Sequence, residues 1–278
     1  DTPNPKTFIG TGKMEEVRAY VDQYEIGTAI FDDELSPAQQ KNIEKILKCK
    51  VIDRTNLILD IFAQRAQTSY ARTQVELAQY EYLLPRLAGM WTHLERIAGG
   101  APAGIGTRGP GEQQLEIDRR IVQRRKSELK REIAMVQSRK TREVAQRNRD
   151  NYTVGLVGYT NAGKSTLFNT LTGTGTYADD KLFATLSTLT RKLDLGGGDS
   201  AMLSDTVGFV RDLPHHLVAS FKSTLEEAVN ADMLLVVLDA SHPRAHNQLN
   251  TVMEVLDDIG ATSPKRQLLL NKTDLLEH

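Results

Sequence analysis

Cysteine is almost missing from this chain: Cys49 is the one thiol in 278 residues. A lone cysteine forms no internal disulfide, so packing must hold the fold, and a reducing, cytoplasmic setting fits. Long apolar runs are missing too. No window approaches the ~18 consecutive apolar residues of a membrane-crossing helix, and Asp1-Thr-Pro-Asn-Pro-Lys6 has no signal-peptide pattern, so the sequence reads as a soluble protein. Neither sign of charge dominates, since 35 Lys and Arg face 36 Asp and Glu for a net charge of −1. That balance excludes a uniformly basic or acidic protein, but it averages over local differences.

What the chain does have is the run Gly158-Tyr159-Thr160-Asn161-Ala162-Gly163-Lys164-Ser165, set between apolar Thr153–Val157 and the helical pattern from Thr166 to Leu171. This GxxxxGKS spacing between a strand and a helix is a phosphate-binding loop. The two glycines let backbone N–H groups close on an anion with no Cβ in the way. The helix beginning near Lys164 adds positive potential, Lys164 can bridge β- and γ-phosphate oxygens, and the Ser165 hydroxyl can ligate Mg²⁺.

Three segments are expected. Residues 1–68 alternate short apolar runs (Thr7–Ile9, Thr28–Phe31, Val51–Ile52) with helical patterns, which implies three strands in a small parallel α/β domain, incomplete at its N-terminus. Ser36 before Pro37, and Asp53, can cap helix starts. Gly10-Thr-Gly12-Lys13 reads as an ordinary strand-to-helix turn, with a second nucleotide site as the alternative.

Residues 69–149 read as two long helices paired as an antiparallel hairpin, kinked at Pro85, around a loop over 99–111 with six glycines and two prolines. Between Gln113 and Arg149, twelve Lys or Arg face five Asp or Glu, a local excess of 12 − 5 = +7. Arg119-Arg120, Arg124-Arg125-Lys126 and Lys130-Arg131 recur about every turn and a half, which suits tracking a phosphate backbone; a solvated coiled-coil face is the alternative.

Residues 150–278 read as a doubly wound P-loop domain, with ligands at the carboxyl ends of its strands. Asp205-Thr206-Val207-Gly208 follows the apolar strand Ala201–Ser204: the carboxylate faces Mg²⁺ and the Gly208 N–H a γ-phosphate oxygen. Asn271-Lys272-Thr273-Asp274 follows Gln267–Leu270. The Asp274 carboxylate offers two acceptors to the N1–H and 2-amino donors of guanine, whereas adenine would leave it poorly paired, so GTP is selected over ATP. The chain reads as ending before any second guanine-contacting loop, a truncated domain.

With these motifs stand Phe31-Asp-Asp-Glu-Leu-Ser-Pro37, Val51-Ile-Asp-Arg-Thr55, Leu59-Asp-Ile-Phe-Ala-Gln-Arg65, Gln79-Tyr-Glu-Tyr-Leu-Leu-Pro-Arg86, Gly89-Met-Trp-Thr-His93, Thr107-Arg-Gly-Pro-Gly-Glu112 and Asp205-Thr-Val-Gly-Phe-Val210. In these strings the chain resembles the HflX family of ribosome-associated GTPases, over essentially its whole length. The resemblance implies a monomeric factor that binds the large ribosomal subunit and its rRNA through the basic hairpin and loop 99–111 with Arg108, and splits stalled or stress-idled ribosomes. It also implies that Phe183-Ala184-Thr185-Leu186 is the first switch, with Thr185 joining Ser165 and Asp205 on Mg²⁺ while the γ-phosphate is present. The chain departs from the family's usual pattern after this string, where it reads Ser187-Thr-Leu-Thr190.

Nucleotide contacts are therefore expected from residues 158–166, 183–187, 205–208 and 271–274, Thr166 included, with Lys164, Thr185 and Gly208 as the catalytic groups. Phe209 stands where many small GTPases place a water-orienting Gln, which predicts slow intrinsic hydrolysis raised by a partner. Asn161 matches the Asn of potassium-stimulated relatives, so K⁺ beside the phosphates is a further expectation. A regulatory switch binding a protein through the hairpin is the alternative function.

Overall fold

The computed structural model describes residues 3–97, 110–173, 188–210, 225 and 228–276. The chain forms two compact units, one of residues 1–60 and 76–129, the other of 61–75 and 130–278.

In the first unit, α1 (Thr11–Gln23), β1 (Thr28–Phe31), α2 (Pro37–Leu47), β2 (Lys50–Asp53) and the start of α3 (Arg54–Arg65) build a small α/β layer. The α2 crossover brings β2 back in parallel to β1, with Thr28 opposite Lys50 and Phe31 opposite Asp53. Met14, Val21, Leu35, Ile43, Leu47 and Val51 form the core. Ser36 caps α2 in a reciprocal box with Gln39, and Pro37 opens the helix. The third expected strand, at Thr7–Ile9, is absent from this sheet, which has two strands. Asn4 accounts for the difference: its Oδ1 accepts from the N–H groups of Lys6 (2.8 Å) and Thr7 (3.3 Å), turning the chain back so that Phe8 pairs with Asn4.

Asp53, fully buried, caps α3 by accepting from the Asn56 N–H at 2.8 Å. It also accepts from the Tyr82 hydroxyl (2.9 Å), the Leu35 N–H (3.2 Å) and Arg86 Nη2 (3.1 Å). Arg86 in turn donates to the carbonyls of Leu35 (2.7 Å) and Tyr82 (3.0 Å) and to Gln40 Oε1 (3.1 Å), and lies 3.5 Å over the Tyr82 ring. Burial first, and then the Asp53 charge, push the Tyr82 hydroxyl well above its ordinary pKa. Tyr82 and Arg86 belong to α4 (Ser69–Ile97), so this cluster ties that helix to the small sheet.

α4 and α5 (Pro110–Asp150) make the expected hairpin, and Pro85 lies inside α4 without ending it. Arg125 grips both carboxylate oxygens of Glu76 at 2.9 and 3.0 Å, and Lys126 meets Glu81 at 3.0 Å. In the second unit the Lys140 ammonium sits 4.5 Å over the Tyr70 ring.

The second unit carries a five-stranded sheet in the order β4 (Leu189–Gly196), β5 (Asp199–Asp205), β3 (Tyr152–Gly158), β6 (Met233–Asp239), β7 (Lys265–Asn271). All pairings are parallel except β4 with β5. That exception follows from the turn Gly196-Gly197-Gly198, whose φ values of 82°, 67° and 95° suit glycine and return the chain too tightly for a crossover. Helices α6 (Lys164–Thr172) and α7 (Ala245–Asp258) follow β3 and β6. Val154, Leu156, Phe168, Leu203 and Val237 are buried together around the central strands. The sequence also predicts a helix over Val218–Val229, of which only Leu225, Ala228 and Val229 fall within the described residues.

Candidate functional site

Because β3, β5, β6 and β7 are parallel, Gly158, Asp205, Asp239 and Asn271 end them on the same edge of the sheet. The phosphate loop and the motifs at Asp205 and Asn271 gather there. β3 runs into the phosphate loop and α6 starts at Lys164. A Cβ on Gly158 would collide with the Val237 carbonyl oxygen, and one on Gly163, at φ 94°, with Asn271 Nδ2. Gly208 is equally confined: a Cβ there would sit 2.9 Å from Thr160 and 3.0 Å from Lys164 Nζ. Three backbone segments thus approach closely only because they carry glycine, leaving the amide-lined cradle that a phosphate chain requires.

Lys164 is buried, and its ammonium donates to the carbonyls of Tyr159 (2.8 Å) and Gly158 (3.1 Å). Burial lowers its pKa to about 8, with the Asp205 charge pulling the other way. Ser165 Oγ donates to Asp205 Oδ2 at 2.7 Å. A hydroxyl and a carboxylate in contact, both hard oxygen donors, are a donor set suited to Mg²⁺. Thr206 is buried with its hydroxyl on the Leu156 carbonyl (2.7 Å), which fixes the turn after β5, while Val207 packs in the core.

Phe209 does more than omit a glutamine. Its N–H donates to the Gly158 carbonyl (3.0 Å) and its carbonyl accepts from the Thr160 N–H (2.8 Å), extending sheet pairing into the phosphate loop. Its ring is 2% exposed, in the core and not at the loop's mouth.

The last motif reaches back to the first. Asn271 Nδ2 donates to the Ala162 carbonyl (2.8 Å), and the Lys272 ammonium to the Asn161 carbonyl (2.9 Å). Lys272 also pairs with Asp239 Oδ2 at 2.8 Å. Thr273 and Asp274 follow in a short 3₁₀ turn, with the Asp274 carboxylate exposed. Thr166 is exposed on the first turn of α6. Phe183, Ala184, Thr185, Leu186 and Ser187 lie outside the described residues, as does Arg108.

Sequence reasoning missed Asp239 as part of this edge. Its signal was an acidic residue closing the apolar strand Met233–Leu238, with Ser241 two positions on. Gly10-Thr-Gly12-Lys13 opens α1: a Cβ at Gly10 or Gly12 would meet no atom within 4 Å, unlike those of the phosphate loop, and Lys13 pairs on the surface with Glu16 at 2.7 Å.

The basic run on α5 is partly committed to the hairpin itself. Besides the ties of Arg125 and Lys126 across to α4, Arg120 pairs with Glu116 (2.5 Å) and Arg124 with Glu128 (3.3 Å) along the helix. Arg119, Arg120, Arg124, Lys130 and Arg131 are exposed. No helix among the described residues is long and apolar enough to cross a membrane.

Three family models together match nearly the whole chain: "GTP-binding GTPase N-terminal" over residues 1–63, "GTP-binding GTPase Middle Region" over 65–149, and "50S ribosome-binding GTPase" over 153–272. The GTPase HflX of Flavobacterium psychrophilum is 53% identical over all of this chain, and that of Escherichia coli K12 49% identical over 99% of it. The chain spans 66% and 64% of those two relatives' lengths. The crystal structure of SsGBP in complex with GDP is 28% identical with a TM-score of 0.52, over 99% of this chain and 74% of that one.

Proposed function

The chain belongs to the HflX family of GTPases, and from that premise we propose that it binds GTP at the phosphate loop and hydrolyses it to GDP and phosphate. In this reading it acts as a switch on the large ribosomal subunit, dissociating stalled or stress-idled ribosomes. The observation that carries it is the convergence of the phosphate loop, Asp205 and the Asn271–Lys272 pair on one sheet edge. The functional segments would be 1–68, 69–149 and 150–278.

Backbone N–H groups of the loop around Gly158–Gly163 would hold the β-phosphate, and Lys164 would turn its ammonium from the loop carbonyls to the β- and γ-oxygens. Ser165 and Asp205, with Thr185, would hold Mg²⁺, which when bound neutralises charge building on the phosphates. The Gly208 N–H would sense the γ-phosphate, and Asp274 would accept from the guanine N1–H and 2-amino groups. With Phe209 in the core, no side chain at that position can orient the attacking water. Intrinsic turnover is therefore slow, and the ribosome supplies the missing order; comparable supplied groups are worth about 10³ to 10⁵ in rate. Asn161 would add a K⁺ beside the phosphates, a role that equal GTPase rates in potassium and sodium buffers would remove.

Ribosomal action rests on the family and on the basic surface of α5, and the matched description "50S ribosome-binding GTPase" supports it. Sedimentation of ribosomes with the protein and GTP, GDP or a non-hydrolysable GTP analogue tests it. Binding and subunit release with GTP and the analogue, and neither with GDP, are expected; no binding with the analogue overturns it. A protein partner for the hairpin is the second reading, favoured by the exposure of Ile117 (49%) and Ile121 (60%) on α5. Charge reversal at Arg119, Arg124 and Arg131 separates the two, since it abolishes RNA binding and spares an apolar interface. Arg125 is unsuited to that test because its reversal breaks the tie to Glu76.

A further inference from the structure

Asp239 closes β6, directly opposite Asn271 in the sheet register, and the Ala240 N–H donates to the Asn271 carbonyl at 2.9 Å. Its carboxylate is fully engaged. Oδ1 accepts from the Ser241 N–H (3.1 Å) and the Ser241 hydroxyl (2.6 Å), which fixes the side chain in an Asx-type turn. Oδ2 takes the Lys272 ammonium at 2.8 Å. That ammonium donates onward to the Asn161 carbonyl, 2.9 Å away in the phosphate loop. The two residues joined by that last bond both have left-handed backbones: φ is 57° at Lys272 and 61° at Asn161. Asn tolerates this conformation better than most residues, but Lys does not, so Lys272 above all must be held, and a charge-assisted bond with a carboxylate already immobilised by Ser241 is suited to do so.

We propose that Asp239 is a positioning residue that sets how long the bound guanine nucleotide stays. It touches no nucleotide atom itself. Through Lys272 it locks the base-reading turn to the phosphate loop, so that the two contact sets open together or not at all. Losing the carboxylate frees Lys272 to swing into solvent and lets Asn161 relax, which uncouples the sets and speeds release. This inference rests on the nucleotide-binding role proposed for the loop.

The test is release of a fluorescent GDP from the purified full chain, with single-turnover hydrolysis at saturating GTP measured alongside. Asp239→Ala should speed release about tenfold or more, the factor expected when a charge-assisted bond is lost. Asp239→Asn should do the same with little change of shape, and it decides the matter if the alanine variant fails to fold. Asp239→Glu should restore much of the residence time. In sodium buffer, where Asn161 holds no K⁺, the single-turnover rate should stay within about twofold of wild type, since the variant leaves Ser165, Asp205 and Gly208 in place. Lys272→Ala should release quickly, and Asp239→Ala combined with it should be no faster, because both cut one relay. Release from Asp239→Asn within twofold of wild type, or fully multiplicative effects in the double variant, overturns the inference. A wild-type chain that binds no GDP overturns the nucleotide-binding reading itself, a separate result.

Discussion

At the scale of single residues, the site runs on groups whose surroundings oppose their ordinary chemistry. Lys164 is the clearest: its folded pKa of about 8 lies below the ordinary 10.5. Between those values the unfolded chain carries more protons than the folded one, so stability should rise with pH from about 8 to 10.5, and below 8 the buried charge costs stability. Lys164→Met should therefore stabilise the ligand-free protein at pH 7, by about 1–3 kcal/mol, and lose the gain as pH rises. Thermal unfolding of both proteins across pH 7–10 measures it; parallel curves would refute it. Phe209 supplies a second prediction. Phe209→Gln places an amide in an apolar site, so it should destabilise by about 1–3 kcal/mol and leave GTP hydrolysis slow. A faster turnover would mean that the side chain reaches the phosphates after all.

The roles of glycine, lysine and serine in the phosphate loop could be read from spacing because backbone approach and anion chemistry tolerate few alternatives there. Phe209 could be read only as an omission. Its actual place, strand-paired to Gly158 and Thr160, depends on a contact with residues some fifty positions earlier in the chain. Asp239 escaped for the same reason, its partner Lys272 being brought beside it by β6–β7 pairing.

At the scale of elements, the hairpin is secured by contacts of very different strength. Arg125–Glu76 is roughly a third exposed on both sides, so solvent screens it, and Glu76→Gln should cost no more than about 1 kcal/mol. Asp53–Arg86 is another matter, with Asp53 wholly buried. Removing Arg86 leaves that buried carboxylate without its countercharge and the Leu35 carbonyl without a donor, so Arg86→Leu should cost about 3–5 kcal/mol. Denaturant titration of the two variants ranks them, and equal losses would contradict the burial argument. The helices and the alternating β and α pattern were visible in the periodicity of apolar residues. The failed third strand at Thr7–Ile9 was not, because a side-chain turn at Asn4 overrode a locally strand-like composition. The antiparallel placing of β4 likewise came from three successive glycines, a feature of the turn and not of the strand.

At the scale of the whole molecule, a net charge of −1 conceals a basic α5, and ribosome association should follow the local charge. If six to ten rRNA phosphates are engaged, affinity should fall about 10³-fold or more between 50 and 200 mM salt, whereas a protein partner held by Ile117 and Ile121 would show little dependence. Binding measured across that salt range distinguishes them.

The Asp53–Tyr82–Arg86 cluster has a mechanical meaning. One guanidinium holds the carbonyl of Leu35 beyond β1, the carboxylate that ends β2 and a side chain of α2, so α4 cannot slide along the small sheet without breaking several bonds at once. A pull applied along α4 would meet a stiff, brittle joint that stays put until it fails as a unit. Such a joint transmits displacement with little loss, as a lever needs, and single-molecule stretching should find its rupture among the later events, well after the surface ion pairs of α5 have let go.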